Sequence, residues 1–280
     1  MSAMSRLSLV ERWLRCPVCS GAITVGDSVR CAEGHSFDIA RQGYVNLRAG
    51  AAKPPRNADT AEMVAARARF LGAGHYAPLQ HRLAGLAGTA GLVLDAGSGS
   101  GEYLSAVLDG APDARGLALD LSAPAIRRAA KAHPRAAAVV ADLRGRLPLA
   151  DGAATVLLNV FSPRHAEEYR RVLAADGLLL AVTPGPGHLG ELVQRLGLIT
   201  VAPDKPERLR RALGTAFTET ARERLRIELT LDHAAVADLV LMGPSAHHVD
   251  PERLRADIAA LPEPVGVTAS FVVTSATRLG

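Results

Sequence analysis

All three cysteines of this 280-residue chain fall within sixteen residues. Cys16-Pro17-Val18-Cys19 is followed, after eleven further residues, by Cys31-Ala32-Glu33-Gly34-His35, a C-x2-C…C-x3-H pattern that leaves no cysteine over. Two short loops that each present a ligand pair can close a tetrahedron around zinc, with Zn–S about 2.3 Å and Zn–N about 2.0 Å. Cys16, Cys19, Cys31 and His35 are the expected ligands of one structural Zn2+. Four protein ligands fill the coordination sphere and leave no position for water or substrate. A redox C-x-x-C would sit in a thioredoxin-like βαβ pattern, and none surrounds this one. So small a segment cannot fold on its own apolar burial, so metal binding supplies much of its folding free energy. Gly21 and Gly34 are expected to give the tight ligand loops their positive-φ freedom.

A second group of chemically capable residues lies further on. Asp95, Asp120 and Asp142 end three consecutive strand-like runs, and Gly97-Ser98-Gly99-Ser100-Gly101 follows the first of them. The loop lacks the Gly-Lys-Ser/Thr ending that grips phosphate, and its alternating glycines depart from the G-x-G-x-x-G of dinucleotide sites. It resembles instead the first motif of Rossmann-like methyltransferases. That resemblance implies S-adenosylmethionine as cofactor, with Gly97, Gly99 and Ser100 letting the backbone approach it. It also implies that Asp120 accepts hydrogen bonds from the ribose hydroxyls and that Asp142 lies near the adenine.

The elements that must hold these residues can be read from hydrophobic patterning. Short apolar runs at 92–96, 114–119, 136–141, 155–160 and 177–183 predict strands, with helices opening at Glu102, after the capping Ser122, and around Glu167–Leu173. Such alternation predicts an α/β fold, a parallel sheet with helices on both faces and a ligand at the carboxyl ends of the strands. The alternating Leu225–Leu229 and the apolar Val267–Ser275 are expected to close the sheet as an antiparallel pair. Residues 49–60, with Pro54-Pro55, read as a linker. The expected organisation is a zinc-ribbon RNA-recognition domain over 1–48, a linker and cofactor-covering helix over 49–75, and a methyltransferase domain over 76–280.

Composition narrows the function classes. Charged residues at 21% and hydrophobic ones at 48% exclude wholesale disorder. Residues 1–56 carry eight basic and four acidic side chains, which accounts for the whole net charge of +4. Basic and aromatic residues, among them Phe37, Arg41, Tyr44 and Arg48, follow the last zinc ligand, the composition of a nucleic-acid contact. Mixed Arg and Glu over 202–230 fit a solvated helix or edge strand better than an RNA groove. With no apolar targeting segment, no membrane-length apolar stretch and an odd number of cysteines, a cytoplasmic protein is expected.

Three further stretches carry a family resemblance. They are Phe37-Asp38-Ile39-Ala40-Arg41-Gln42-Gly43-Tyr44-Val45-Asn46-Leu47, Phe70-Leu71-Gly72-Ala73-Gly74-His75-Tyr76 and Thr183-Pro184-Gly185-Pro186-Gly187-His188-Leu189. With the ribbon and the glycine loop they resemble the RlmA family of 23S ribosomal RNA guanine-N1 methyltransferases, from Cys16 to about Val249. The resemblance implies that Tyr76 and His188 join the S-adenosylmethionine contacts, that 59–76 folds over the cofactor, and that two subunits pair to form an RNA cleft.

Enterobacterial relatives carry Gly-Cys-Gly-Glu-Gly in the loop, Tyr-Ala-Pro-Cys where this chain has Phe161-Ser162-Pro163-Arg164, and Met-Thr-Pro then Trp where it has Met242-Gly243-Pro244. These departures look more like the second, tylosin-resistance branch. Resemblance to that branch implies guanine 748 as the target rather than its neighbour 745, the target of the enterobacterial branch, both in an exit-tunnel hairpin of domain II near the macrolide site.

For attack by guanine N1, a proton must leave and N1 must be held about 3 Å from the methyl carbon. No residue announces itself as the base. Asn159, Phe161, His165 and Glu167 are candidate pocket residues, and Phe161 or Tyr44 is expected to stack on RNA. Two other readings stay open at this point: a small-molecule methyltransferase, and a non-enzymatic zinc-ribbon RNA-binding protein.

Overall fold

Side chains alternate across the central strands and sort the interior into two cores, one on each face of a single large sheet. The computed structural model describes residues 5–48, 59–88, 91–198 and 211–279; all but the last two residues of the expected linker lie outside that set. The first strands, β1 (Ile23–Val25), β2 (Ser28–Cys31) and β3 (Ser36–Asp38), form a small antiparallel sheet of their own. Then come β4 (Val45–Asn46), β5 (Leu92–Ala96), β6 (Arg115–Asp120), β7 (Ala136–Val140), β8 (Ala154–Val160), β9 (Leu173–Pro184), β10 (Phe217–Leu231) and β11 (Val265–Arg278). They form one eight-stranded sheet in the order β10-β11-β9-β8-β5-β6-β7-β4. β4 to β9 run parallel where they pair, and β11 is antiparallel to both β9 and β10.

The expected closing pair forms, with Leu225 opposite Phe271. Of the mixed charges over 202–230, those before residue 211 lie outside the described residues; on the outer strand Arg222 pairs with Glu219 at 2.5 Å and Arg226 with Glu228 at 2.6 Å, the second pair exposed. Charged edges of this kind discourage pairing with another chain.

Helices α1 (Ala61–Gly72), α2 (Ala77–Ala87), α3 (Glu102–Gly110), α4 (Ala123–Ala132), α6 (Gly190–Leu196), α7 (His233–Leu241) and α8 (Pro251–Ala259) lie on one face, their buried side chains sharing one core with Val93, Ala118, Val156 and Leu158. Thr60 and Ser122 cap α1 and α4, accepting from the amides of Met63 and Ala125. Helices on both faces were expected and are found, but very unequally. On the second face lie α5 (Ala166–Val172), Leu213 and the N-terminal segment, whose Leu7, Val10, Leu14 and Val29 pack with Leu92, Leu94, Leu117 and Val139. The reason is local. After β7 the chain turns at Asp142–Gly145 and runs on without a helix to β8, so that part of the sheet would be bare without the ribbon. β4 adds to the same join by pairing in parallel with β7, Val45 opposite Val139. No described helix is long and apolar enough to cross a membrane.

Candidate functional site

The four ribbon ligands converge as their spacing predicted. Their ligand atoms all lie within 4.8 Å of one another. Cys19 Sγ and Cys31 Sγ are 3.7 Å apart, and His35 Nδ1 is 3.6 Å from Cys16 Sγ and 3.3 Å from Cys31 Sγ. A tetrahedron with the usual Zn–S and Zn–N lengths has edges of about 3.5–3.8 Å, so the donor set fits zinc. Gly34 has the expected positive φ of +82°, but Gly21 does not; the left-handed residue of the first ligand loop is Ser20, φ +60°. Ser20 donates to the Cys16 carbonyl and Cys16 to that of Gly21, which closes the turn one residue earlier than expected.

The second site opens at the carboxyl ends of the parallel strands, where the register sets Ala96 beside Leu119 and Asp120 beside Val140. A cavity of about 810 Å³ is lined there by residues as distant in sequence as Asp59 and His248. Of the residues singled out from sequence, Tyr76, Gly97, Gly99, Asp120, Asp142, Phe161 and His188 line it. Ser100 is buried behind the wall, where its hydroxyl donates to Glu102 Oε2 at 2.7 Å.

Hydrogen bonds hold the loop's shape. Gly97 and Ser98 donate to the Leu119 carbonyl at 2.8 and 3.0 Å, and Gly99 donates to Asp120 Oδ2 at 2.9 Å. The other Asp120 oxygen accepts from the Ser122 amide at 2.8 Å. Gly97 needs to be glycine twice over: its φ is +88°, and a Cβ there would collide with Ser162. A Cβ on Gly99 would meet Arg67.

Charge in the cavity is concentrated and partly suppressed. Asp95 is fully buried below the loop, with Oδ2 unpartnered; burial, then the charges of Asp120 and Glu102, push its carboxyl up to about 8. Burial also raises Glu102 and Asp120. Tyr76 Oη and Ser98 Oγ are buried in the wall without hydrogen-bond partners. Orphaned polar atoms, a glycine cradle and a volume within the usual range for ligand cavities fit an elongated polar cofactor such as S-adenosylmethionine.

α1 closes over this end. Arg67 is ion-paired with Asp59 and donates to the Met242 carbonyl at 2.8 Å, and Ser122 Oγ donates to the Asp59 carbonyl at 3.0 Å. His188 Nδ1 accepts from the Ser270 amide at 3.2 Å, with its ring 5.0 Å from that of Phe271.

Not every candidate pocket residue reaches the cavity. Phe161 does: at φ +55° and 42% exposed, it turns back at the end of β8 toward Phe271, ring centroids 5.6 Å apart. Asn159 is buried beneath the turn, donating to Ser162 Oγ and the Pro163 carbonyl at 2.8 and 3.0 Å. His165 caps α5 by accepting from the Glu168 amide, Glu167 lies in that helix's first turn, and Tyr44 packs at the rim of the helix-side core. Sequence reading missed Arg67, Glu102, Tyr103 and Arg164 as lining residues. Glu102, directly after the glycine loop, was the one a local signal could have found.

Comparison with known proteins places this geometry. Residues 14–50 match the family model described as "RlmA, N-terminal", a zinc ribbon, and residues 93–178 match one described as a methyltransferase domain. A Streptomyces fradiae protein named 23S rRNA (guanine(748)-N(1))-methyltransferase is 50% identical over 272 residues, 95% of this chain and 96% of the relative. A Micromonospora griseorubida protein, named provisionally as a 23S rRNA (guanine-N(1)-)-methyltransferase, is 52% identical over 92% of this chain and 94% of its own. Among solved structures, a chain from the complex of the Haloferax volcanii Trm112 methyltransferase activator with a methyltransferase matches at TM-score 0.53. It is 17% identical and covers 79% of this chain and 99% of that one, a likeness of fold. With half its residues shared along nearly its whole length, the chain belongs to the RlmA family of S-adenosylmethionine-dependent 23S rRNA guanine-N1 methyltransferases.

Proposed function

We infer that this enzyme methylates N1 of guanine 748, in the exit-tunnel hairpin of domain II, and thereby confers resistance to macrolides such as tylosin. The observation that carries the reading is that one cavity takes in both the glycine loop and the Phe161–Arg164 turn, so a cofactor and a base can meet there. The choice of nucleotide is supported by the named specificity of the Streptomyces fradiae relative. Methylation alters the Watson–Crick edge of the base and adds bulk beside the macrolide site, and resistance follows as steric interference.

Tyr76, Gly97, Gly99, Ser100, Asp120 and His188 are the residues assigned to the cofactor. When bound, S-adenosylmethionine supplies an electrophilic methyl group. Gly97 and Gly99 leave room for close approach, Asp120 keeps acceptor capacity beyond its two backbone bonds, and Tyr76 offers an unspent hydroxyl. The α1 cover over 59–72 excludes water from the cofactor end, and Phe161 offers its exposed ring as a stacking platform for an extruded base. In this division of labour the ribbon (1–48) recognises RNA, 49–75 covers the cofactor and 76–280 carries the chemistry. A cytoplasmic, homodimeric enzyme completes the reading.

Primer extension across the hairpin tests it, after unmodified 23S rRNA has been incubated with enzyme and cofactor. N1-methylation blocks pairing, so a reverse-transcriptase stop beside guanine 748 is expected. A stop at another guanine would overturn the assignment of the nucleotide and leave the chemistry standing.

A further inference from the structure

Three arginines line the cavity, and they are not equivalent. Arg67 is ion-paired with Asp59, and Arg144 with Asp142 at 2.7 Å. Arg164 has no ion pair among the described residues, and its Nε is buried without a hydrogen-bond partner. A partly buried guanidinium with no counter-charge is costly to keep. Burial pulls its pKa down from the ordinary arginine value, as expected of a cation short of compensation.

The backbone under Arg164 is held firmly. The Pro163 carbonyl accepts from Tyr169 Oη at 2.8 Å and from Asn159 Nδ2 at 3.0 Å, and Ser162 Oγ donates to the Ala96 carbonyl at 2.5 Å. The buried Asn159, which does not reach the cavity, thus serves to fix the turn that presents Phe161 and Arg164.

We propose that Arg164 reads the target guanine, its guanidinium donating to O6 and N7 while Phe161 stacks on the ring. This assignment rests on the guanine-N1 reading above. The planar fork of arginine matches the O6/N7 pair of guanine and leaves N1 clear for reaction, whereas adenine presents a donor at the corresponding N6. It also answers the missing-base problem. The electron pair of the N1–H bond becomes the N1–CH3 bond, the S–CH3 pair stays on sulfur to leave a thioether, and the N1 proton passes to water. As that proton leaves, negative charge spreads from N1 onto O6, where a fixed cation stabilises it without itself moving a proton.

The test uses full-length enzyme and 23S transcripts carrying, at the guanine where wild-type enzyme causes its reverse-transcriptase stop, either guanosine or 7-deazaguanosine. Arg164→Gln is expected to lower single-turnover methylation roughly 100-fold, with cofactor and RNA affinities within about threefold of wild type. Its rate should keep climbing with pH where the wild-type rate has levelled off, and Arg164→Lys should recover part of the loss. 7-Deazaguanosine, which lacks the N7 acceptor, should slow wild-type enzyme about tenfold and leave Arg164→Gln unaffected. That arm needs no protein variant in its wild-type half, so a folding defect cannot mimic it. Equal slowing of both enzymes by 7-deazaguanosine would overturn the proposal. So would an Arg164→Gln defect confined to RNA affinity and its salt dependence, which marks a phosphate contact, or to cofactor affinity. Absence of any stop with wild-type enzyme on unmodified 23S rRNA would instead remove the guanine-N1 reading itself.

Discussion

In the ribbon, four ligand atoms from residues 16–35 crowd within 4.8 Å of one another, all supplied by two adjacent turns. In the cavity, the lining is drawn from Asp59 through His248; Arg67, Asp120, Ser122 and His188 are held by bonds to other parts of the chain, while Tyr76, Ser98 and Arg164 keep buried polar atoms without partners. The first arrangement is built by spacing and completed by a metal. The second is built by the sheet, which brings the ends of β5, β6 and β8 side by side whatever occupies the space above them. The two are nevertheless joined, because the ribbon's apolar side chains share one core with β5, β6 and β7. A local metal site therefore buttresses, from the opposite face, the sheet that positions the distant cavity.

The sharpest way to break that link is to remove the metal. Structural zinc contributes about 10–16 kcal/mol of apparent folding free energy in small ribbons. Because the core is shared, chelation or Cys16→Ser is expected to lower the main thermal transition of the whole chain by more than about 10 °C, read by calorimetry. Two separated transitions, with cofactor binding intact at the upper one, would show that ribbon and sheet are independent.

Within the cavity, the two loop glycines should separate by what surrounds them. Gly97→Ala places a methyl group against Ser162 at φ +88°, and Gly99→Ala places one 3.1 Å from the flexible end of Arg67 at φ +53°. Left-handed strain of about 1–2 kcal/mol applies to both, and the fixed Ser162 turn adds a clash only to the first. Cofactor affinity by titration calorimetry should fall more than about 100-fold for Gly97→Ala and about tenfold for Gly99→Ala.

The base end should respond in turnover rather than in cofactor binding. Phe161→Ala is expected to slow methylation about 10–100-fold, the worth of one stacking platform, while cofactor affinity holds within a few-fold. Tyr44→Ala, outside the cavity lining, should leave single-turnover rates unchanged; a Tyr44 defect equal to that of Phe161 would move the stacking role to the ribbon.

The smallest effect is a pH dependence of the free protein. Asp95, buried and close to the charges of Asp120 and Glu102, holds its proton up to about 8 when folded, against an ordinary value of 3.8. Between those values the folded chain binds more protons at this position than the unfolded one. Its contribution to stability is therefore complete below the ordinary value and is lost as pH rises through about 8. Asp95→Asn should flatten that decline in urea midpoints measured from acid to mildly alkaline pH. An unchanged slope would put the ionisation elsewhere in the cavity.

Much of this molecule is determined by short-range pattern. The C-x2-C…C-x3-H spacing specifies a closed four-ligand site because all its ligands lie on two adjacent turns, and the apolar runs of β5 to β9 specify a parallel sheet because each is bounded by a loop or helix signal. The carboxylates at strand ends and the glycine loop follow from the same local grammar, as does the closing pair of β10 and β11.

Tertiary structure alone decided the rest. No periodicity announces that the ribbon covers one face of the sheet, since that depends on the absence of a helix between β7 and β8. Nor does any local signal show that Arg164 lines the cavity with its Nε buried and unpartnered, that Arg67 reaches the Met242 carbonyl, or that Asn159 lies under the turn while Phe161 rides over it. Ion pairing and burial are properties of distance, and distances between residues a hundred positions apart exist only once the strands have found their register.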